Sequence, residues 1–193
     1  MATRTLHNEP GETWFITFTC YNWIPLFEIT QSYNLLYDWL KFISKRYNIE
    51  THAFVFMPNH IHIIIKLPEI QAELNKVISN GKRFLAYELV KKLKILGKID
   101  LLEQLSAACT EKEKAKGQKH KIFELSFDAK PSQRRFSIKK QITYITIRCL
   151  VNGRCVAISP CMLIAARLFI IYQNLTNILT LLITGIFGPM FIK

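Results

Sequence analysis

Two histidines one residue apart, in the stretch FVFMPNHIHIII (residues 54–65), have the types and spacing to bind a metal ion. Side chains at positions i and i+2 of a strand point to the same face of a sheet. His60 and His62 are therefore expected to project together, with Ile61 and Ile63 on the other face. Imidazole is a common ligand of divalent cations, so the two rings could share one ion. The structural alternative is a solvated sheet face, or one ring held by a core hydrogen bond.

The segments around this pair alternate between strand and helix patterns. β-branched and aromatic residues in rough alternation predict three strands, over 13–21, 51–57 and 60–67. The last two are separated by Pro58-Asn59, which predicts a tight hairpin turn.

Apolar residues at helical spacing predict helices over 31–48 and 70–96, and Asn80-Gly81 indicates a break or a kink in the second. The stretch HKIFELSF (120–127) predicts a fourth strand. The resulting order is β-α-β-β-α-β, which is an α+β, ferredoxin-like fold with a four-stranded antiparallel sheet and both helices on one face. Because this fold supports many functions, the site has to identify the function.

Composition narrows the class of partner. The 193 residues carry a formal net charge of +12, which favours a polyanionic partner, either nucleic acid or anionic lipid.

Five cysteines without a CxxC pair indicate neither a disulfide framework nor a zinc knuckle. The N-terminal MATRTLHNEPGE lacks the apolar core of a signal peptide, so we expect a cytoplasmic protein.

Composition changes abruptly near Pro131. All 14 acidic residues lie in residues 1–131, whereas residues 132–193 contain none and include three of the five cysteines. A normal globular segment of that length would contain several acids. We therefore divide the chain into a domain over 1–131 and an atypical apolar tail over 132–193.

The stretch MPNHIHIII, following an apolar strand, resembles the metal-binding motif of HUH single-tyrosine transposases, in particular the REP-associated, insertion-sequence type found in bacteria. The resemblance extends over most of residues 13–131. WFITFTCYNWIPLF is similar to the first strand of that family and its exit loop. SNGKRFLAYELVKKL resembles the helix before the last strand, and FELSFDAKP resembles the segment that follows.

The resemblance implies a DNA transposase with the ferredoxin-like fold. In that family two histidines, here His60 and His62, and a polar residue of a helix hold Mg²⁺ or Mn²⁺, which polarises the scissile phosphate. A tyrosine then attacks phosphorus and forms a 5′-phosphotyrosine link. The substrate is single-stranded DNA, often folded as hairpins at the ends of the element, and two subunits usually act together as a homodimer.

DNA contacts are expected from the basic helix, where lysines and arginines could neutralise phosphates and an aromatic ring could stack on bases. The candidates are Lys82, Arg83, Tyr87, Lys91 and Lys92. The alternative is an ordinary amphipathic helix with solvated lysines. We expect Phe84 to belong to the core.

The family carries its nucleophile in a motif of the type Tyr-Ile-His-x-Asn-Pro, just after the DAKP segment. The corresponding place in this chain reads QITYITIRCLVNG (141–153). Tyr144 and Ile145 are present, but His-x-Asn-Pro is not, and Arg148 occupies the position of the third metal ligand. A cation at that position would repel the metal, so this copy is expected to be catalytically impaired.

A frameshift near Pro131–Ser132 is our hypothesis for the missing motif. Residues 132–148 can be back-translated so that reading two bases along spells Thr-Ala-Lys-Ile-Phe-Tyr-Gln-Lys-Thr-Asn-Tyr-Ile-His-His-Asn-Pro. On this hypothesis Tyr144 is an accidental match, and the true tyrosine codon straddles Ile142 and Thr143. The acid-free tail follows, because an out-of-frame sequence is not selected for folding.

Two other functions stay open at this point. One is a non-catalytic ferredoxin-like module that binds nucleic acid. The other is a membrane-associated protein that uses the apolar run NILTLLITGIFGPMFI (177–192). That run has 16 residues and includes Gly185, Gly188 and Pro189, whereas a spanning helix needs roughly 20.

Overall fold

An antiparallel sheet forms the frame of the molecule in the computed structural model, which describes residues 11–69 and 73–132 and the backbone of 157–158. Its strands are β1 (Thr13–Thr19), β2 (Glu50–Phe56), β3 (His60–Lys66), β4 (Asp128–Pro131) and β5 (Ala157–Ile158). Their order across the sheet is β4-β1-β3-β2-β5, and every neighbouring pair is antiparallel. The first four strands have the predicted ferredoxin-like arrangement, and β5 extends it by two residues at the edge.

The two predicted helices connect the strands in the predicted order, and within the described residues three shorter α-helices accompany them. In chain order these helices are α1 (Leu26–Ile29), α2 (Tyr33–Tyr47), α3 (Leu74–Ile95), α4 (Ile99–Ala107) and α5 (Glu111–Ala115). The long helices α2 and α3 bury their apolar faces in the same core as one face of the sheet. The predicted α+β fold is therefore confirmed.

Alternation along β1 and β3 separates the two faces of the sheet. Trp14, Ile16 and Phe18 of β1 point into the core beside the helices, together with Ile61 and Ile63 of β3. The intervening residues, which include both histidines of β3, project from the opposite face. The helices therefore do not cover the histidines.

The fourth strand does not lie where we predicted it. Residues 120–127 form an extended segment with one isolated bridge, between Cys20 and Phe123, and the paired strand is β4 at Asp128–Pro131. Ile122 and Phe123 are buried in the core, which explains the strand-like pattern. These two residues are apolar because they hold the segment against the core, and not because the segment is a strand of the sheet.

The predicted break at Asn80-Gly81 is also wrong, since α3 is continuous from Leu74 to Ile95. Gly81 is buried at the crossing of α2 and α3, where the indole of Trp39 packs directly against its Cα. A Cβ at position 81 would collide with that ring. The glycine is thus needed for close helix packing and not for a turn.

Within the described parts of the chain, no helix is long and apolar enough to cross a bilayer. The apolar run at 177–192 lies outside those parts, and so does Tyr144.

Candidate metal centre and nucleic-acid interface

The imidazole rings of His60 and His62 meet on the helix-free face of the sheet. Their Nε2 atoms lie 3.2 Å apart, and the ring planes cross at 84° with the centroids separated by 4.8 Å. Both side chains are half-buried. The two Nε2 atoms therefore lie within hydrogen-bond distance of each other.

β1 supports His62 from one side. The hydroxyl Oγ1 of Thr17, the residue directly opposite in the sheet register, lies 2.7 Å from Nδ1 of His62. The ring of Phe15 stacks on the imidazole at a centroid distance of 5.6 Å and an interplanar angle of 16°. These two contacts define the orientation of the His62 ring.

Asn59 orients His60 and also selects its tautomer. The amide Nδ2 of Asn59 donates to the carbonyl oxygen of Trp23 at 3.0 Å, so its Oδ1 faces Nδ1 of His60 at 2.7 Å. An amide oxygen can only accept, so Nδ1 of His60 carries the proton. In the neutral ring the Nε2 atom then carries the lone pair, which is the form that binds a metal.

Thr17 permits two proton arrangements in the pair. When its hydroxyl donates to Nδ1 of His62, Nε2 of that ring carries the proton and can donate to His60. When the hydroxyl accepts instead, the proton of His62 moves to Nδ1, and both Nε2 atoms carry lone pairs. The second arrangement is the one suited to a shared cation.

The histidine pair fits a divalent ion by its chemistry and spacing. Two ligand atoms about 2.1 Å from an ion and at right angles to each other are about 3 Å apart, close to the separation of the two Nε2 atoms. Across residues 11–69 and 73–132, however, no cluster of three or more His, Cys, Asp or Glu side chains could hold a metal. The described residues therefore offer two imidazole ligands.

Lys82, one of the predicted DNA-binding residues, makes its contacts with main-chain carbonyls. Its Nζ donates to the carbonyl oxygen of Glu124 at 2.6 Å and to that of Ser126 at 3.1 Å, with the carbonyl of Leu125 at 3.4 Å. Burial lowers the pKa of Lys82 to about 8, while the nearby charge of Glu124 opposes the shift. The side chain fastens the segment before β4 to α3, which leaves its ammonium group engaged with the main chain.

The other predicted DNA-binding residues lie on α3, away from the histidines. Arg83, Tyr87 and Lys91 are exposed at a spacing of four residues on the outer face of the helix. Lys92 is half-buried, with Nζ 3.4 Å from the carbonyl oxygen of Gln31. The structure therefore does not bring this basic face and the histidine pair together.

Phe84 was expected in the core and is 47% exposed instead. It lies beside Arg83 on α3, at the margin of the same outer face, because the buried stripe of the helix runs through Gly81, Leu85 and Leu89. Its aromatic ring therefore adds to the exposed surface that carries Tyr87.

Sequence reasoning missed the residues that support the histidines. Asn59 precedes His60 in the motif and was interpreted only as part of a turn, although an amide next to a candidate ligand is a usable signal. Thr17 and Phe15 could be found only from the register of β1 against β3. Trp23 has an exposed ring 5.5 Å from that of His60, and nothing in its local pattern indicated this contact.

No protein-family model matches this sequence, and no curated protein does either. Among solved structures, the chain is similar to one described as a REP-associated tyrosine transposase bound to a REP hairpin. The TM-score is 0.51 at 21% sequence identity, and the match covers 79% of this chain and 75% of that chain. The likeness is one of fold, and it agrees with the ferredoxin-like arrangement of β1 to β4.

Proposed function

We propose that this chain is a DNA-binding protein of the tyrosine-transposase type that retains the histidine half of its metal site and lacks the nucleophile motif. It would bind single-stranded DNA next to a hairpin, with Mg²⁺ or Mn²⁺ at His60 and His62. Without the tyrosine motif in frame, it would not cleave that DNA.

The observation that carries this proposal is the 3.2 Å approach of the two Nε2 atoms on the sheet face that the helices leave open. Its support comes from the fold shared with a REP-associated tyrosine transposase that is bound to a REP hairpin. Residues 1–131, which contain 18 lysines and arginines and 14 acidic residues, carry a net charge of +4, and this agrees with a polyanionic ligand.

The chain's own residues would perform three tasks. His60 and His62 provide neutral nitrogen ligands, Asn59 keeps the metal-binding tautomer of His60, and Oγ1 of Thr17 accepts a hydrogen bond from the Nδ1–H group of His62. A divalent ion held there would supply Lewis-acid stabilisation of the charge that develops on a phosphodiester. A nucleophile has to come from the segment after Ser132, which is the segment that we propose is read out of frame.

The metal is tested by titrating Mn²⁺ into the full chain and measuring heat or the electron paramagnetic resonance signal of the free ion. His60→Ala and His62→Ala are each expected to weaken Mn²⁺ binding at least about tenfold. His52→Ala is the matched control, because His52 is exposed on the neighbouring strand β2 and is expected to bind like the unchanged chain. Equal affinities in all four proteins would exclude the metal site.

The nucleic acid is tested with a labelled DNA hairpin that carries a single-stranded flank. We expect the unchanged chain to bind this DNA more tightly with Mn²⁺ than without it, and to show no covalent adduct on a denaturing gel. A chain translated from a gene with the frame restored near codon 132 is expected to form the adduct. Native DNA that offers no Tyr-Ile-His-x-Asn-Pro in the other frame would refute the frameshift.

A non-catalytic nucleic-acid-binding module is the second candidate. It is favoured because, within residues 11–69 and 73–132, no third His, Cys, Asp or Glu side chain joins the histidines in a group that could hold a metal. DNA binding that is indifferent to Mn²⁺ and to His60→Ala would select this candidate.

A further inference from the structure

An exposed tryptophan stands next to the candidate metal centre. The side chain of Trp23 is 62% exposed, whereas the other two tryptophans of the chain, Trp14 and Trp39, are 4% and 2% exposed. The Trp23 ring lies 5.5 Å from that of His60, at an angle of 72°. The Trp23 indole is thus a large aromatic surface that is exposed to solvent directly beside His60.

The backbone at Trp23 is held in an uncommon conformation. Asn22 and Trp23 have φ values of 48° and 57°, in the left-handed region that a bulky residue rarely adopts. Such a conformation persists only where the surroundings impose it, and it occurs preferentially at functional sites.

Hydrogen bonds from three segments impose this conformation. Asn59 donates to the carbonyl oxygen of Trp23 at 3.0 Å, and the main-chain N–H of Trp23 donates to the carbonyl of Cys20 at 3.2 Å. The N–H of Asn22 donates to Oε1 of Glu124 at 2.9 Å, and Lys82 in turn holds the Glu124 carbonyl. The backbone that carries the exposed indole is therefore held by hydrogen bonds on several sides.

We propose that Trp23 stacks on an unpaired base of single-stranded DNA, next to the phosphate that the histidine pair engages. The inference rests on the function proposed above and adds a base-binding subsite to it. Stacking on an aromatic side chain tolerates every base, and its loss weakens binding about 5- to 150-fold. A base is favoured over an apolar protein partner because the ring borders a polar histidine side chain.

Tryptophan fluorescence provides a direct test. Because Trp14 and Trp39 are buried, iodide quenches chiefly the emission of Trp23. Addition of the flanked hairpin is expected to quench the Trp23 emission. The Trp23 emission that remains is expected to be less accessible to iodide. A fully paired duplex with blunt ends, which offers no unpaired base, is expected to do neither.

Affinity measurements on paired changes test the stacking itself. Trp23→Ala is expected to weaken binding to the flanked hairpin at least about fivefold, and Trp23→Phe to retain most of it. A scan of single abasic sites through the flank should find one position where the Trp23→Ala effect disappears, since ring and base are then removed together. Phe42→Ala is the matched control, because Phe42 is 55% exposed on α2, a helix that packs on the face of the sheet opposite the histidines.

The outcomes separate the two proposals. If the unchanged chain does not bind the hairpin, both are overturned. If it binds, but Trp23→Ala binds equally well and the emission is unchanged, the stacking proposal alone is overturned. Weakening by Trp23→Ala that persists unchanged at every abasic position also overturns it, because the ring would then contact something other than a base.

Discussion

Oδ1 of Asn59 lies 2.7 Å from Nδ1 of His60, and the orientation of the amide is defined by its second bond, to the carbonyl of Trp23. Through this contact a turn residue determines which nitrogen of a neutral His60 ring carries the lone pair. Residues that orient a ligand in this way influence metal affinity strongly without contacting the ion.

The first prediction concerns this contact. Asn59→Ala is expected to weaken Mn²⁺ binding about tenfold, because Nδ1 of His60 loses its acceptor and the ring can change tautomer. Asn59→Asp retains an acceptor at that position and is expected to restore most of the affinity. Calorimetric titration at pH 8 measures both variants, and equal weakening in the two would contradict the tautomer argument.

The second prediction concerns the left-handed backbone at Trp23. At φ 57° an alanine retains the steric cost and a glycine does not, so Trp23→Gly is expected to unfold with about 1 kcal/mol more free energy than Trp23→Ala. At Phe42, inside helix α2, the order should reverse by a similar amount, because glycine is the poorer helix former. Urea denaturation of the four variants tests the comparison, and glycine less stable than alanine at both positions would refute it.

The third prediction concerns the contact of Gly81 with Trp39. In an open helix, alanine in place of glycine would stabilise the protein by about 1 kcal/mol. Here the added methyl group meets a buried indole, so Gly81→Ala is expected to lower the free energy of unfolding by about 1–2 kcal/mol. Asn80→Ala, one residue away and exposed, serves as the control and should be neutral or slightly stabilising. A stabilising Gly81→Ala would show that the two helices can separate.

The fourth prediction concerns the pH dependence that Lys82 confers. Its pKa is lowered from 10.5 in the unfolded chain to about 8 in the fold, chiefly by burial. Between these values the unfolded chain binds more protons, so rising pH favours the folded state. The stability of the unchanged chain relative to Lys82→Met is therefore expected to rise from pH 8 to 10.5, by on the order of 2 kcal/mol. Denaturant titrations of both proteins at three pH values measure this difference, and a difference that stays flat or falls would contradict the assignment.

Local periodicity was sufficient to predict the order of the strands and helices and the common direction of His60 and His62. Both follow from short-range geometry, because a strand alternates its side chains regardless of what packs against it. The same reasoning placed the fourth strand at 120–127, where Ile122 and Phe123 show a strand-like pattern although they anchor a loop in the core.

Other features depended on contacts between segments distant along the chain. The sequence offered Lys82 as a phosphate contact, whereas the fold brings it to the carbonyls of residues 124–126, which are 42 to 44 residues away. Gly81 resembled a helix break because the indole that approaches it belongs to another helix. The position of the exposed Trp23 ring beside His60 likewise could not be predicted, because it depends on how the segment after β1 folds against the turn before β3. Side-chain direction is a property of a few neighbouring backbone angles, whereas the partner of a side chain is set by the packing of the whole domain.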